Sequence, residues 1–189
     1  HTYLFPAHVT AQPANPPGFP ALWSGATADY EVDPNVTGST QPGYHLTNAL
    51  LSLPTVSLTA ERGDLFDASR GIYYYSANAG PAWRRLASVE MIFPDGSAGF
   101  QANASVRMAG DSSANHTFTP KHSMRLAFRN ALGQGTLKFP LFPDSTVESF
   151  DQIELRACST DSWPVQDGYL DNNVIRWTYT RASYLRDQY

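Results

Sequence analysis

From Thr55 onward, apolar and polar residues alternate with period 2 in several short runs, a pattern that predicts half-buried strands. "TVSLTA" and "GIYYYS" each predict one strand. Ala87, Val89, Met91 and Phe93 alternate, "PDGSAG" turns the chain, and Ala104, Val106 and Met108 alternate back. That order predicts a hairpin. The next strand runs from about His122 to Asn130. Its parity separates Met124, Leu126 and Phe128 from Lys121, Ser123, Arg125 and Arg129. One face is therefore apolar and the other basic. "LGQGTLKFPLF" supplies a glycine turn and a short strand. "FDQIELRA" alternates again, with Ile153, Leu155 and Ala157 on one side and Gln152, Glu154 and Arg156 on the other.

Residues 1–53 lack this texture. Prolines in "AQPANPPGFP" remove backbone donors and resist both helix and central strand. A long irregular strap is expected, packed on residues 54–189 through Phe5, Phe19, Trp23 and Tyr30. Leu46, Ala49, Leu50 and Leu53 fall at helical spacing, so "HLTNALLSL" predicts one short helix that Pro54 ends. Near the other end, Ile175, Thr178, Tyr179, Ala182 and Leu185 follow an Asx-type start at Asp171–Asn173. They predict a helix from about Val174, in which the chain stops. The expected architecture is a β-dominated α+β domain. It has a mostly antiparallel sheet or sandwich, the N-terminal strap and the C-terminal helix.

Composition narrows the function classes. Only 16% of residues are charged, 42% are hydrophobic, and the net charge is −4. No global basic field exists to draw in nucleic acid, although local patches are compatible with that total. No run of about 18 apolar residues is present to form a spanning helix. Cys158 is the single cysteine, so no disulfide forms within the chain. Its apolar neighbours predict a buried, inert thiol. The chain starts at His1 without a secretory-signal pattern, which suggests a mature or trimmed chain.

The basic face is the first candidate site. Lys121 and Arg125 lie four apart, and residues four apart on a strand point the same way, so together they could meet two phosphate oxygens. The preceding loop, "AGDSSAN", offers backbone N–H groups at Gly110, Ser112 and Ser113 as an anion nest. Asp111 in that loop repels phosphate unless a metal bridges them. The plain alternative is a solvated face paired with neighbours such as Glu154. Arg156 shares the outward side with Glu154 and is a further cofactor-binding candidate, with a cross-strand ion pair as its plain role. Asp161 can close an Asx turn before Trp163 and Pro164. Asp161, Asp167 and Asp171 lie in an acidic loop able to hold calcium, or a magnesium ion, through oxygen ligands.

Rival chemistries are weaker. His1 could bind copper through its amine and imidazole, with a second ligand from His8, His45, His116 or His122, as in copper enzymes acting on polysaccharide. No HExxH or clustered His/Cys set suggests zinc, and no GxSxG elbow suggests a serine nucleophile. Trp83 and the Tyr73–Tyr75 run could stack on pyranose rings or simply pack. A noncatalytic carbohydrate-binding or adhesive domain is thus the main alternative, with polysaccharide as partner.

Several segments carry a family resemblance by their order: "GIYYY", "AWRRLASVEMIFPDGSAGFQANASVRMAG", "PKHSMRLAF", "LKFPLFPDSTVESFDQIELRA", "DSW" and "YLRDQY". Together they resemble the CotH (spore coat protein H) kinase family, in its large bacterial extracellular or envelope multidomain branch. "TYLFPAHVTAQPANPPGFP" and "ADYEVDP" resemble the segment before that domain. The resemblance implies an atypical protein kinase that moves phosphate from ATP, with magnesium, to Ser or Thr of a protein substrate. Family members of the same fold without established activity are the other possibility it implies. It also implies secretion or envelope location and neighbouring domains. The Lys121 strand and its loop would face the nucleotide. Asp161 would match an acidic segment, and Arg186–Asp187 the family's "RD" segment, beyond which most catalytic and metal-binding acids lie. This chain would then be the front portion of the domain, inactive alone.

Overall fold

The computed structural model describes residues 2–43, 45–118, 120–142 and 145–157. They form a β-dominated α+β structure with short helices. Helix α1 spans Pro6–Thr10, and a small pair β1 (Leu22–Trp23) and β2 (Ala26–Thr27) follows. Next come α2 (Pro34–Thr37), α3 (Leu46–Leu51), β3 (Thr55–Thr59) and α4 (Arg62–Phe66). The longer strands are β4 (Arg85–Ile92), β5 (Gln101–Ala109) and β6 (Ser123–Ala127). Strands β7 (Leu137–Lys138), β8 (Ser149–Phe150) and β9 (Gln152–Leu155) complete the order. The main sheet has the strand order β3-β4-β5-β6-β9, with β1-β2 and β7-β8 as separate pairs. Two compact units divide the chain: His1–Tyr75 with Ala87–Ala102, and Ser76–Leu86 with Asn103–Tyr189.

The first unit is organised by aromatic rings. Trp23 is 2% exposed and meets Tyr30 and Tyr73 edge-on at 5.0 and 4.9 Å. Phe66 lies near the same rings and 5.4 Å from Phe19. Trp23 Nε1 donates to Tyr30 Oη at 2.9 Å, and that hydroxyl donates on to Pro20 O. The buried polar atoms are thus paired while the rings leave water. Three of the four expected packing residues of the strap join this cluster. Phe5 does not: it is 60% exposed and stacks on His8 instead. In the same unit β3 pairs antiparallel with β4, from Thr55 opposite Ile92 to Thr59 opposite Ser88. The expected 93–100 turn is present. Gly96 takes φ +76°, Asp95 Oδ1 accepts from Ser97 N, and Met91 N donates to Phe100 O.

"GIYYYS" is a series of turns and not a strand. Gly71 N donates to Asp67 O, Tyr73 N to Leu65 O, and Tyr75 N to Gly71 O. The chain coils back on α4, spending its backbone donors locally. A Cβ on Gly71 would lie 2.6 Å from Asp67 N, so only glycine fits this return. The β-rich composition of the tyrosine run pointed to a strand, and local turn bonds won. The short helix expected within His45–Leu53 does form, as α3.

The second unit holds β5, β6 and β9 in antiparallel register. Val106, Leu126 and Ile153 make one row across these strands, and all three are buried. The alternate parity carries Arg107, Arg125 and Glu154 in another row. Strand β6 is shorter than the alternation suggests. It begins at Ser123, and beyond Ala127 the Phe128 N–H turns to Asp151 O at 2.9 Å. Lys121 therefore precedes the strand, and its predicted strand spacing with Arg125 does not occur. The C-terminal helix, Cys158, Asp161, Asp167, Asp171 and Asp187 lie outside the described residues, as does His1.

Candidate anion-binding site

The polar face of β5, β6 and β9 carries a depression of about 260 Å3. Its origin is legible in the register. Ser105, Ala127 and Gln152 sit opposite one another in one row, with Arg107, Arg125 and Glu154 in the next. Ala127 is too small to fill the centre of the first row. Long arginines surround that gap: Arg107 from β5, Arg125 from β6, Arg129 two residues after β6 ends, and Arg84 just before β4.

Among the described residues, four arginines line the depression, and Glu154 is the carboxylate paired with one of them, Arg125. Glu154 Oε2 accepts from Arg125 Nη2 at 2.7 Å and from Nε at 3.2 Å. Both bonds end on one oxygen, so the pair is not a matched fork. Arg107 Nη1 donates to Met108 O at 3.0 Å. Burial lowers the Arg107 pKa, Arg125 and Arg84 lower it further, and Glu154 opposes them. The guanidinium nevertheless stays charged at ordinary pH. Among the described residues the site thus holds more positive charge than Glu154 balances, in partly dehydrated surroundings. An anion with several oxygens is the ligand that this arrangement stabilises most.

A second polar cluster lies in the same unit. Ser76 Oγ donates to Ala114 O and lies 3.1 Å from His116 Nε2. His116 Nδ1 lies 2.7 Å from His122 Nε2, and His122 Nδ1 lies 3.0 Å from Ser113 O. Ser76 and His122 are buried. Burial, with His116 beside it, lowers the His122 pKa, although the Ser113 carbonyl works the other way. The carbonyls of Ser113 and Ala114 thereby tie down the 112–114 turn.

The candidates from the sequence separate accordingly. Arg125 lines the pocket, and its pairing with Glu154 is the plain alternative made real. Lys121 is exposed and is not part of the lining. Gly110, Ser112 and Ser113 belong to the loop held by the histidine cluster, also apart from the lining. Gly110 has φ +114°, and a Cβ there would meet Ser113 Oγ. Arg156 is exposed just past β9. Arg84, Arg107 and Arg129 are the functional candidates that sequence analysis did not single out. Outward parity marks Arg107 and Arg129, but only the register places them together.

The rival sites look different in space. Trp83 is half-buried, and the Arg85 guanidinium lies 5.7 Å from its ring centroid, so a cation occupies a place where a sugar would stack. Tyr73 belongs to the Trp23 cluster. Among the described residues no group of three or more His, Cys, Asp or Glu side chains is placed to hold a metal ion. A larger, more open cavity of about 570 Å3 in the first unit is lined by neutral side chains such as Thr10, Thr37, Ser39, Thr47 and Asn48, with His45. No helix among the described residues is long and apolar enough to cross a membrane. No protein-family profile, curated protein or solved structure matches this chain.

Proposed function

We propose that this chain is the front portion of a CotH-like kinase domain, and that its arginine pocket receives the phosphates of the nucleotide. The observation that carries this is that, among the described residues, Arg84, Arg107, Arg125 and Arg129 line one depression, with Glu154 paired to Arg125. Phosphoryl transfer rests chiefly on positioning and charge neutralisation, and clustered guanidinium groups supply both. The ordered segments that resemble the family supply the rest of the argument. By that resemblance, the acids that bind magnesium and act on the substrate hydroxyl would lie largely beyond Arg186–Asp187, with Asp161 and Asp187 as further candidates on the nucleotide side. On this reading the chain binds nucleotide phosphates, and the whole protein is a secreted or envelope Ser/Thr kinase.

Calorimetric titration with ATP, with and without magnesium, tests this. Saturable binding is expected, weakened about tenfold in Arg107→Gln, the scale of one charge-assisted contact of about 1.4 kcal/mol. Binding that is unchanged in Arg107→Gln but lost in Lys121→Ala would place the phosphates on the 110–121 loop instead. Absence of any binding would remove the nucleotide assignment.

A further inference from the structure

We propose that the pocket selects the phosphoryl group itself, accepting metal-free inorganic pyrophosphate as a complete ligand. This rests on the phosphate-binding assignment above and narrows it. The first argument is size and lining. Cavities that enclose drug-sized ligands start at about 300 Å3 and are mostly apolar. This one, at about 260 Å3, offers guanidinium, hydroxyl and amide groups around a single alanine. Among the described residues it has no aromatic or large aliphatic wall on which a nucleobase could stack. Recognition at this place is therefore of charge and oxygen geometry, with any nucleoside left outside.

The second argument is the donor set. Magnesium bound to phosphate takes its remaining ligands from carboxylates and water. Among the described residues the lining contains no carboxylate, and Glu154 beside it is paired with Arg125. Guanidinium groups must meet the phosphate oxygens directly, and a magnesium ion on those oxygens competes with them. Free pyrophosphate therefore binds more tightly than its magnesium complex.

The third argument concerns Glu154. Its Oε2 occupies the Nε and Nη2 edge of Arg125, where an incoming phosphoryl oxygen would bind. The carboxylate acts as an internal competitor for this cation, and a ligand with more than one negative charge shares the cation with it better than a monoanion does. Phosphoryl groups with two or more charges are selected over monoanions.

The test is calorimetry on the whole 189-residue chain with sodium pyrophosphate as the probe, at low salt and neutral pH. One saturable site is expected, with adenosine unable to displace the probe and excess magnesium weakening it several-fold. Arg107→Gln should weaken it at least tenfold, and Arg129→Gln, at an exposed position, several-fold without disturbing the fold. Glu154→Gln should tighten it several-fold. Pyrophosphate that fails to bind while magnesium–ATP binds overturns this inference and leaves the nucleotide assignment standing. If neither binds, both fall. Pyrophosphate binding that ignores both Arg107→Gln and Arg129→Gln also overturns it.

Discussion

Arg107 projects from β5 directly opposite Arg125 on β6, and like charges in opposed strand positions repel. Its guanidinium is also partly buried, so the fold holds this cation against two unfavourable terms. Such an arrangement trades stability for binding. Arg107→Leu is expected to leave the chain at least as stable, with a gain of about 0.5 kcal/mol from lost repulsion, while anion binding weakens at least tenfold. Urea denaturation beside a binding titration checks both halves. His122 gives the pH signature of the neighbouring cluster. Its folded pKa lies below its unfolded value, so the unfolded chain binds the proton more readily. Stability from this group is fully present above the unfolded pKa of about 6.5. It is lost as pH falls through that value towards the folded one. Thermal unfolding at pH 7.5 and 5.5 should show the drop in the wild type and a smaller one in His122→Gln. An equal drop in both would acquit His122.

At the scale of elements, β6 is central: it is paired on one edge with β5 and on the other with β9. Leu126, its last residue but one, is fully buried between Val106 and Ile153. Leu126→Ala is expected to cost about 2–5 kcal/mol and to weaken the anion site with it, because the same strand carries Arg125 on its other face. Hydrogen exchange across β5, β6 and β9 would show the loss as one unit. Much of this was legible in the sequence. Period 2 placed β4, β5, β6 and β9 and put Val89, Val106, Leu126 and Ile153 on the buried side, because burial of one face imposes that alternation, although Ser123, on the side read as exposed, is buried too. The turn at "PDGSAG" and helix α3 were legible through local chemistry. What the sequence hid was register. Alternation says that Arg107 and Arg125 point outward, but not that they stand opposite each other beside Ala127. The tyrosine run was misread for a related reason. Its composition suits a strand, while Gly71 and the Asp67 and Leu65 carbonyls bend it into turns.

For the whole molecule, the net charge of −4 is a poor guide to what it binds. Its local arginine cluster carries the opposite sign, and long-range attraction for anions should be slight. Binding should therefore depend mostly on direct contacts, and its salt dependence should be that of a few screened charges rather than of a basic surface. Raising ionic strength from about 0.01 to 0.15 M, which shortens the screening length from about 30 to 8 Å, is expected to weaken pyrophosphate by less than a hundredfold. A steeper loss would point to a diffuse basic surface. The measurement that tests the central claim most directly is a pyrophosphate titration followed by the arginine side-chain Nε–Hε resonances. The Arg107, Arg125 and Arg129 signals are predicted to shift together along one saturation curve. Shifts confined to Lys121 and the amides of residues 110–114, with the arginine signals still, would contradict it.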